Sequence, residues 1–195
     1  MSSRRVGVLP AKAGERAVFC VDAAHFVLGA YLGLWWCLER LFVKSGAGRQ
    51  RFNVLGALNA VTHELITVTN DTYINAECVC DLLRKIAALG LTIPITLVLD
   101  NAQYQKCKLV FELAETLNTE LLYLTTYSPN LNLIERFWKF VNKQCLYSVY
   151  YPDFSSFKQS ISNCLEHSHT THKKELDSFL TLRFQSFSKV KSIPC

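Results

Sequence analysis

Short, unbroken apolar runs alternate in this chain with stretches of helical period, and that alternation restricts the fold more than any other feature. AVFCVD (17–22), IPITLVLD (93–100) and LLYLTT (121–126) have the pattern of strands buried on both faces. Pro94 falls near the start of the second run, where a missing backbone donor matters least. FVLGAYLGLWWC (26–37) is also apolar, with Gly29 and Gly33 as expected bends. FNVLGALNAV (52–61) and LITVTN (65–70), joined by Thr62–His63–Glu64, predict a hairpin. Between the runs, Ile74, Cys78, Leu82, Ile86 and Leu89 share one helical face ahead of Gly90, which predicts a helix over 74–89. Further helices are expected over 102–118, about 130–147, near 154–168 and over 173–184. The expected architecture is α/β: a largely parallel sheet covered on both faces, with an antiparallel hairpin added.

Composition agrees with one globular domain. The chain has 195 residues, of which 50% are hydrophobic and 19% charged, so collagen-like and disordered chains are excluded. A net charge of +5 permits a polyanionic partner without demanding one. None of the eight cysteines forms a C-x-x-C pair, and the basic start MSSRRVGVLPAKAGER lacks the apolar core of a signal peptide. Reduced thiols in a cytoplasmic protein are therefore expected. The apolar stretch 17–38 holds Asp22 and His25, and an acid near a span's centre costs about 2.5–3.5 kcal/mol, so no membrane association is expected.

Two of the apolar runs end on an acid, Asp22 and Asp100, and the carboxyl ends of parallel strands are where ligands bind. Glu135 follows the third run, near the start of a predicted helix whose core stripe is Ile134, Trp138, Val141 and Cys145. Three converging carboxylates without clustered His or Cys favour a hard cation, Mg²⁺ or Mn²⁺. Two such ions can drive an in-line phosphoryl transfer. Each acid also has an ordinary structural reading. Asp100 with Asn101 can cap a helix, Asn132 with Glu135 has capping-box spacing, and Asp22 can be a turn residue.

VDAAHF (21–26), VLDNAQYQ (98–105) and YSPNLNLIERFWK (127–139) resemble the signature blocks of DDE transposases, most closely the insertion sequence 630 family, bacterial relatives of mariner transposases. The 34 residues between Asp100 and Glu135 match that group, and FNVLGALNAVTHELITVTN (52–70) resembles its central hairpin. The resemblance covers about 17–185, leaving 1–16 as a leader and 186–195 as a tail. It implies an RNase H-like fold, with Asp22, Asp100 and Glu135 as the catalytic, metal-binding triad and Asn101, Ser128, Pro129 and Asn132 as supporting motif residues. By the same resemblance the reaction is cleavage of double-stranded DNA at transposon ends, then attack of the freed 3′-hydroxyl on target DNA.

Relatives work as dimers bridging two ends. They also carry an N-terminal helix-turn-helix region of roughly a hundred residues. Its absence here implies a separately encoded DNA-binding segment or a truncated remnant. In LTTYSP (124–129), Thr125 stands where relatives have proline.

Lys44, Arg49 and Arg51 surround SGAG in a basic loop suited to DNA phosphates, or to an ordinary solvated turn. Arg136, Lys139 and Lys143 lie on the outer part of the Glu135 helix, where phosphate contact competes with a simple Glu135–Lys139 pair. Cys164, His167, His169 and His172 form C-x-x-H-x-H-x-x-H, but His169 is turned away from its neighbours on a helix. A solvated helix end is therefore favoured over zinc. Trp35–Trp36 can stack on a base or fill core. The rival functions are a catalytically incompetent transposase remnant and a host nuclease of the same fold.

Overall fold

The computed structural model describes residues 14–29, 50–124 and 132–181. Five strands form one sheet: β1 (Ala17–Val27), β2 (Arg51–Asn59), β3 (Leu65–Asn70), β4 (Ile95–Leu99) and β5 (Thr119–Tyr123). Their order is β3-β2-β1-β4-β5. The β1–β2 and β2–β3 pairs are antiparallel, and the β1–β4 and β4–β5 pairs are parallel, as the hairpin and the alternating pattern predict. The helices are α1 (Ala76–Ala87), α2 (Lys108–Thr116), α3 (Leu133–Cys145), α4 (Phe154–Thr171) and α5 (Lys173–Phe179), with a 3-10 helix over Gln103–Lys106.

Side chains alternate across the sheet into two cores. Phe19, Val21, Leu55, Leu97 and Leu99 pack under α1 and α2. Val18, Cys20, Phe26, Val54 and Val98 pack under α3, α4 and α5. The α3 stripe is the one the spacing predicts: Ile134, Trp138, Val141 and Cys145 are all buried.

Several boundaries differ from expectation, each for a physical reason. β1 does not stop at Asp22 but continues to Val27, because β2 goes on pairing with it from Asp22↔Gly56 to Val27↔Arg51. Pro94 precedes β4 rather than lying inside it, and its carbonyl accepts from the Ala17 N–H. The segment expected to be one helix over 102–118 is broken at Cys107, whose ψ of 157° is extended. Leu89 is exposed because α1 ends at Ala87, ahead of Gly90 at φ +62°. Val79, Cys80 and Leu83 widen the buried face beyond the expected stripe.

The hairpin link turns through His63 at φ 60°, and the His63 Nδ1 lies 2.9 Å from Asp177 Oδ1 on α5. The leader through residue 13, Gly33, Trp35, Trp36 and the 186–195 tail lie outside the described residues. Among the described residues the cysteines are free, and no helix is long and apolar enough to cross a membrane.

Leu97 is fully buried in the central part of the sheet. Leu97→Ala is expected to lower the unfolding free energy by about 2–5 kcal/mol in a denaturant titration.

Candidate active site

The parallel register between β1 and β4 ends at Val21↔Leu99, and the next residue on each strand is an aspartate. Asp22 and Asp100 therefore emerge side by side at the carboxyl end of the parallel strands. Strand alternation puts both on the face covered by α3, since Cys20 and Val98, two residues earlier, belong to that core. Asp22 is not a turn residue: it lies within β1, at the point where its parallel neighbour runs out.

Glu135 stands in the first turn of α3. This helix reaches across the rim and also touches both aspartates. Trp138 Nε1 donates to Asp22 Oδ2 at 3.1 Å, and Asn132 Nδ2 donates to Asp100 Oδ1 at 3.1 Å. Asn132 is the N-terminal cap residue of α3, but its side chain makes no capping bond. Asp100 caps nothing either: Ala102 and Cys107 hold the two cap positions that follow it, without side-chain capping bonds. The capping readings of these residues therefore give way to contacts across the rim.

The charges feel one another. Burial pushes the Asp22 carboxyl up from 3.8 to about 6, with Asp100 and Glu135 adding repulsion against the lowering from the Ala23 N–H and the Trp138 indole. Glu135 is raised by burial and then by Asp100, partly offset by Lys139. Tyr104, in the 3-10 helix after β4, is raised by burial and then by Asp22 and Asp100, which marks the phenol as a neighbour of the site.

Among the described residues, no three His, Cys, Asp or Glu groups gather closely enough to hold one ion. The carboxylates of Asp22, Asp100 and Glu135 nonetheless suit a hard divalent cation, whose opposite charge would relieve the repulsion among them.

The other residues singled out from the sequence divide. Asn101 is exposed beside Asp100, and Arg51 is exposed at the start of β2. Lys139 is close enough to Glu135 to act on its charge. Arg136 Nη1 donates to the Thr181 carbonyl at 2.9 Å, and Lys143 lies 3.6 Å from Glu175. Lys44, Arg49, Ser128 and Pro129 fall outside the described residues.

Cys164, His167, His169 and His172 form no metal cluster. His167 Nδ1 instead lies 3.0 Å from the Asn163 carbonyl, and His172 packs edge-on against Phe140. Sequence reasoning placed Trp138 in the core and passed over Gly56 and Tyr104. The FW pair three residues after Glu135 was the available signal for Trp138, whereas Gly56 and Tyr104 needed the strand pairing.

The sequence matches the family described as DDE superfamily endonuclease over residues 18–158. The chain belongs to that family. All three acids fall within the matched span. No curated protein matches by sequence.

Solved structures share the fold of this DDE endonuclease domain at low identity. The mariner Mos1 paired end complex with Mg has a TM-score of 0.56 and 12% identity, covering 86% of this chain and 52% of that one. The Mos1 transposase paired-end complex with left transposon end has a TM-score of 0.53 and 12% identity, covering 86% and 56%. The catalytic core domain of BIV integrase has a TM-score of 0.52 and 13% identity, covering 84% and 95%. The mixed sheet flanked by helices is thus the RNase H-like fold of these neighbours. The chain spans a little over half the length of the Mos1 chains and nearly all of the integrase core.

Asp22 holds its proton more tightly folded than unfolded, so its contribution to stability is full below about pH 3.8 and lost as pH rises through about 6. In metal-free buffer at pH 7, Asp22→Asn is expected to stabilise the domain by up to about 3 kcal/mol. Denaturant titrations should find that gain nearly gone at pH 4.

Proposed function

We propose that this chain is the catalytic domain of a transposase of the insertion sequence 630 group, cutting and joining DNA phosphodiesters with divalent metal at Asp22, Asp100 and Glu135. The observation that carries the reading is the β1–β4 register, which brings two aspartates of a DDE family chain to adjacent places on the face that receives the Glu135 helix. Neighbours solved as paired-end complexes with a transposon end and with Mg support transposon DNA as substrate and Mg²⁺ as the ion. Mn²⁺ is expected to substitute. With this reading go a homodimer bridging two ends, a DNA-binding segment for end recognition, and a place beside the nucleoid in the cytoplasm.

Each residue then has a physical task. Asp22 and Asp100, on rigid strands, and Glu135, on a packed helix, would hold two ions by their oxygens. When bound, such ions activate a water or hydroxyl and stabilise the leaving oxygen of the in-line displacement. Ionised carboxylates are the competent ligands, and the raised proton affinity of Asp22 and Glu135 makes ion binding compete with protonation. Asn101, next to Asp100, and Ser128 and Pro129, ahead of α3, are supporting positions of the same motif. Lys139, close to Glu135, would grip phosphates at the rim, with Lys44, Arg49, Arg51, Arg136 and Lys143 extending the contact.

Cleavage of a short labelled duplex carrying a transposon end, in Mg²⁺ or Mn²⁺, tests the reading. Strand cutting should require the metal and fall at least about a hundredfold in Asp100→Asn. A folded protein that binds Mn²⁺ yet never cuts would favour the remnant. Cutting of hybrid or branched substrates alone would favour a host nuclease. For the basic rim, Lys139→Gln should weaken duplex binding evenly across sequences and reduce the slope of log affinity against log salt by about 1.

A further inference from the structure

Metal chemistry at this rim requires Asp22 and Asp100 to hold fixed orientations, yet each is a carboxylate just past the parallel β1–β4 ladder, beside another negative charge. On its own strand Asp22 meets the Ala23 N–H, and two further neutral donors, Trp138 of α3 and its cap residue Asn132, hold the pair from the helix side. The Trp138 indole N–H reaches Asp22 Oδ2, and the Asn132 amide reaches Asp100 Oδ1. A carboxylate has about four lone-pair positions, so one or two such donors orient it and still leave positions for a cation.

Both donors are themselves locked. Trp138 is 7% exposed and held edge-on by Phe26 and Phe137, with ring centroids at 6.2 and 5.5 Å. Its place is made by Gly56, which pairs with Asp22 across β1–β2. A Cβ on Gly56 would lie 2.8 Å from Trp138 Cη2, 2.9 Å from Cζ2 and 3.0 Å from Ile134 Cδ1, so any side chain there displaces the indole.

Asn132 is 1% exposed, and its amide also donates to the Val21 carbonyl at 3.4 Å. Turning that amide over would set its oxygen against two acceptors. Its Oδ1 is left buried with no hydrogen-bond partner among the described residues. An orphaned buried acceptor costs stability, and here it is tolerated in exchange for an N–H on Asp100.

We propose that Trp138 and Asn132 are positioning residues: α3 delivers Glu135 and, from the same side, orients each strand aspartate, so that one helix sets all three carboxylates. This rests on the metal-binding reading above. Loss of either donor frees a carboxylate to swing away from its neighbours, and metal affinity falls. Partners that orient ligands in this way are typically worth about 10–100-fold in affinity.

The test is Mn²⁺ affinity of the whole chain without DNA, measured from free Mn²⁺ by electron paramagnetic resonance. Trp138→Phe keeps an aromatic ring and removes the N–H, Gly56→Ala keeps the N–H and displaces the ring, and Asn132→Ala removes the second donor. Leu97→Ala, buried on the opposite face of the sheet, serves as a destabilised control. Each of the first three should bind Mn²⁺ about tenfold more weakly, while Leu97→Ala binds as the parent does. If any one variant fails to fold, the others decide.

Affinities within twofold of the parent in the folded variants would overturn the positioning role and leave the metal site standing. Weakening no greater than that of Leu97→Ala would reduce the effect to lost stability and overturn it too. A parent chain that binds no Mn²⁺ would overturn both readings together.

Discussion

The rim of this domain depends on one backbone ladder, the parallel pairing of β1 with β4. Hydrogen bonds from Ala17↔Ile95 to Val21↔Leu99 fix the two strands in a single register, and a slip by one residue would turn either aspartate to the other face of the sheet. The register is enforced from both sides. Phe19, Val21, Leu97 and Leu99 are fully or almost fully buried towards α1 and α2, while Val18, Cys20 and Val98 fill the other core. Apolar packing over the length of both strands thus decides the separation of two charges at their ends.

That placement works against stability. Burial and mutual repulsion raise the proton affinity of Asp22 and Glu135, so the ionised rim is a strained arrangement in the absence of a cation. The domain sustains it because the rim is small compared with the cores beneath. Phe137 and Val141 on α3 and Phe157 and Ile161 on α4 are fully buried and anchor the helix that brings Glu135 forward. The packed interior keeps these carboxylates near enough to raise one another's proton affinity.

α3 joins these two demands. Its inner stripe is core, its first turn carries Glu135 to the rim, and Trp138 joins the two: the indole body packs on Phe26 and Phe137 while the N–H reaches Asp22. Gly56 belongs with it, since the missing side chain on β2 is the space the indole occupies. The cluster of Cys164 and three histidines further along shows the opposite outcome. A suggestive spacing on one helix converges on nothing, because the helical period sends His169 away and the remaining rings take local partners.

The sequence by itself determined the element types, their order and the acids. Short apolar runs, a helical stripe from Ile134 to Cys145 and an acid at the end of an apolar run are local patterns, set by burial and by the periods of helix and strand. The DDE blocks named Asp22, Asp100 and Glu135 without any knowledge of how the strands pair. Only the tertiary structure decided that β1 runs on past Asp22, because its partner there is β2, a neighbour no local pattern reveals. It also decided that Trp138, 116 residues from Asp22, donates to it, and that Asn132 serves Asp100 rather than its own helix. Composition and period record how deeply a residue is buried. Which group it meets there is set by register and by the approach of one helix, and those are properties of the packed chain.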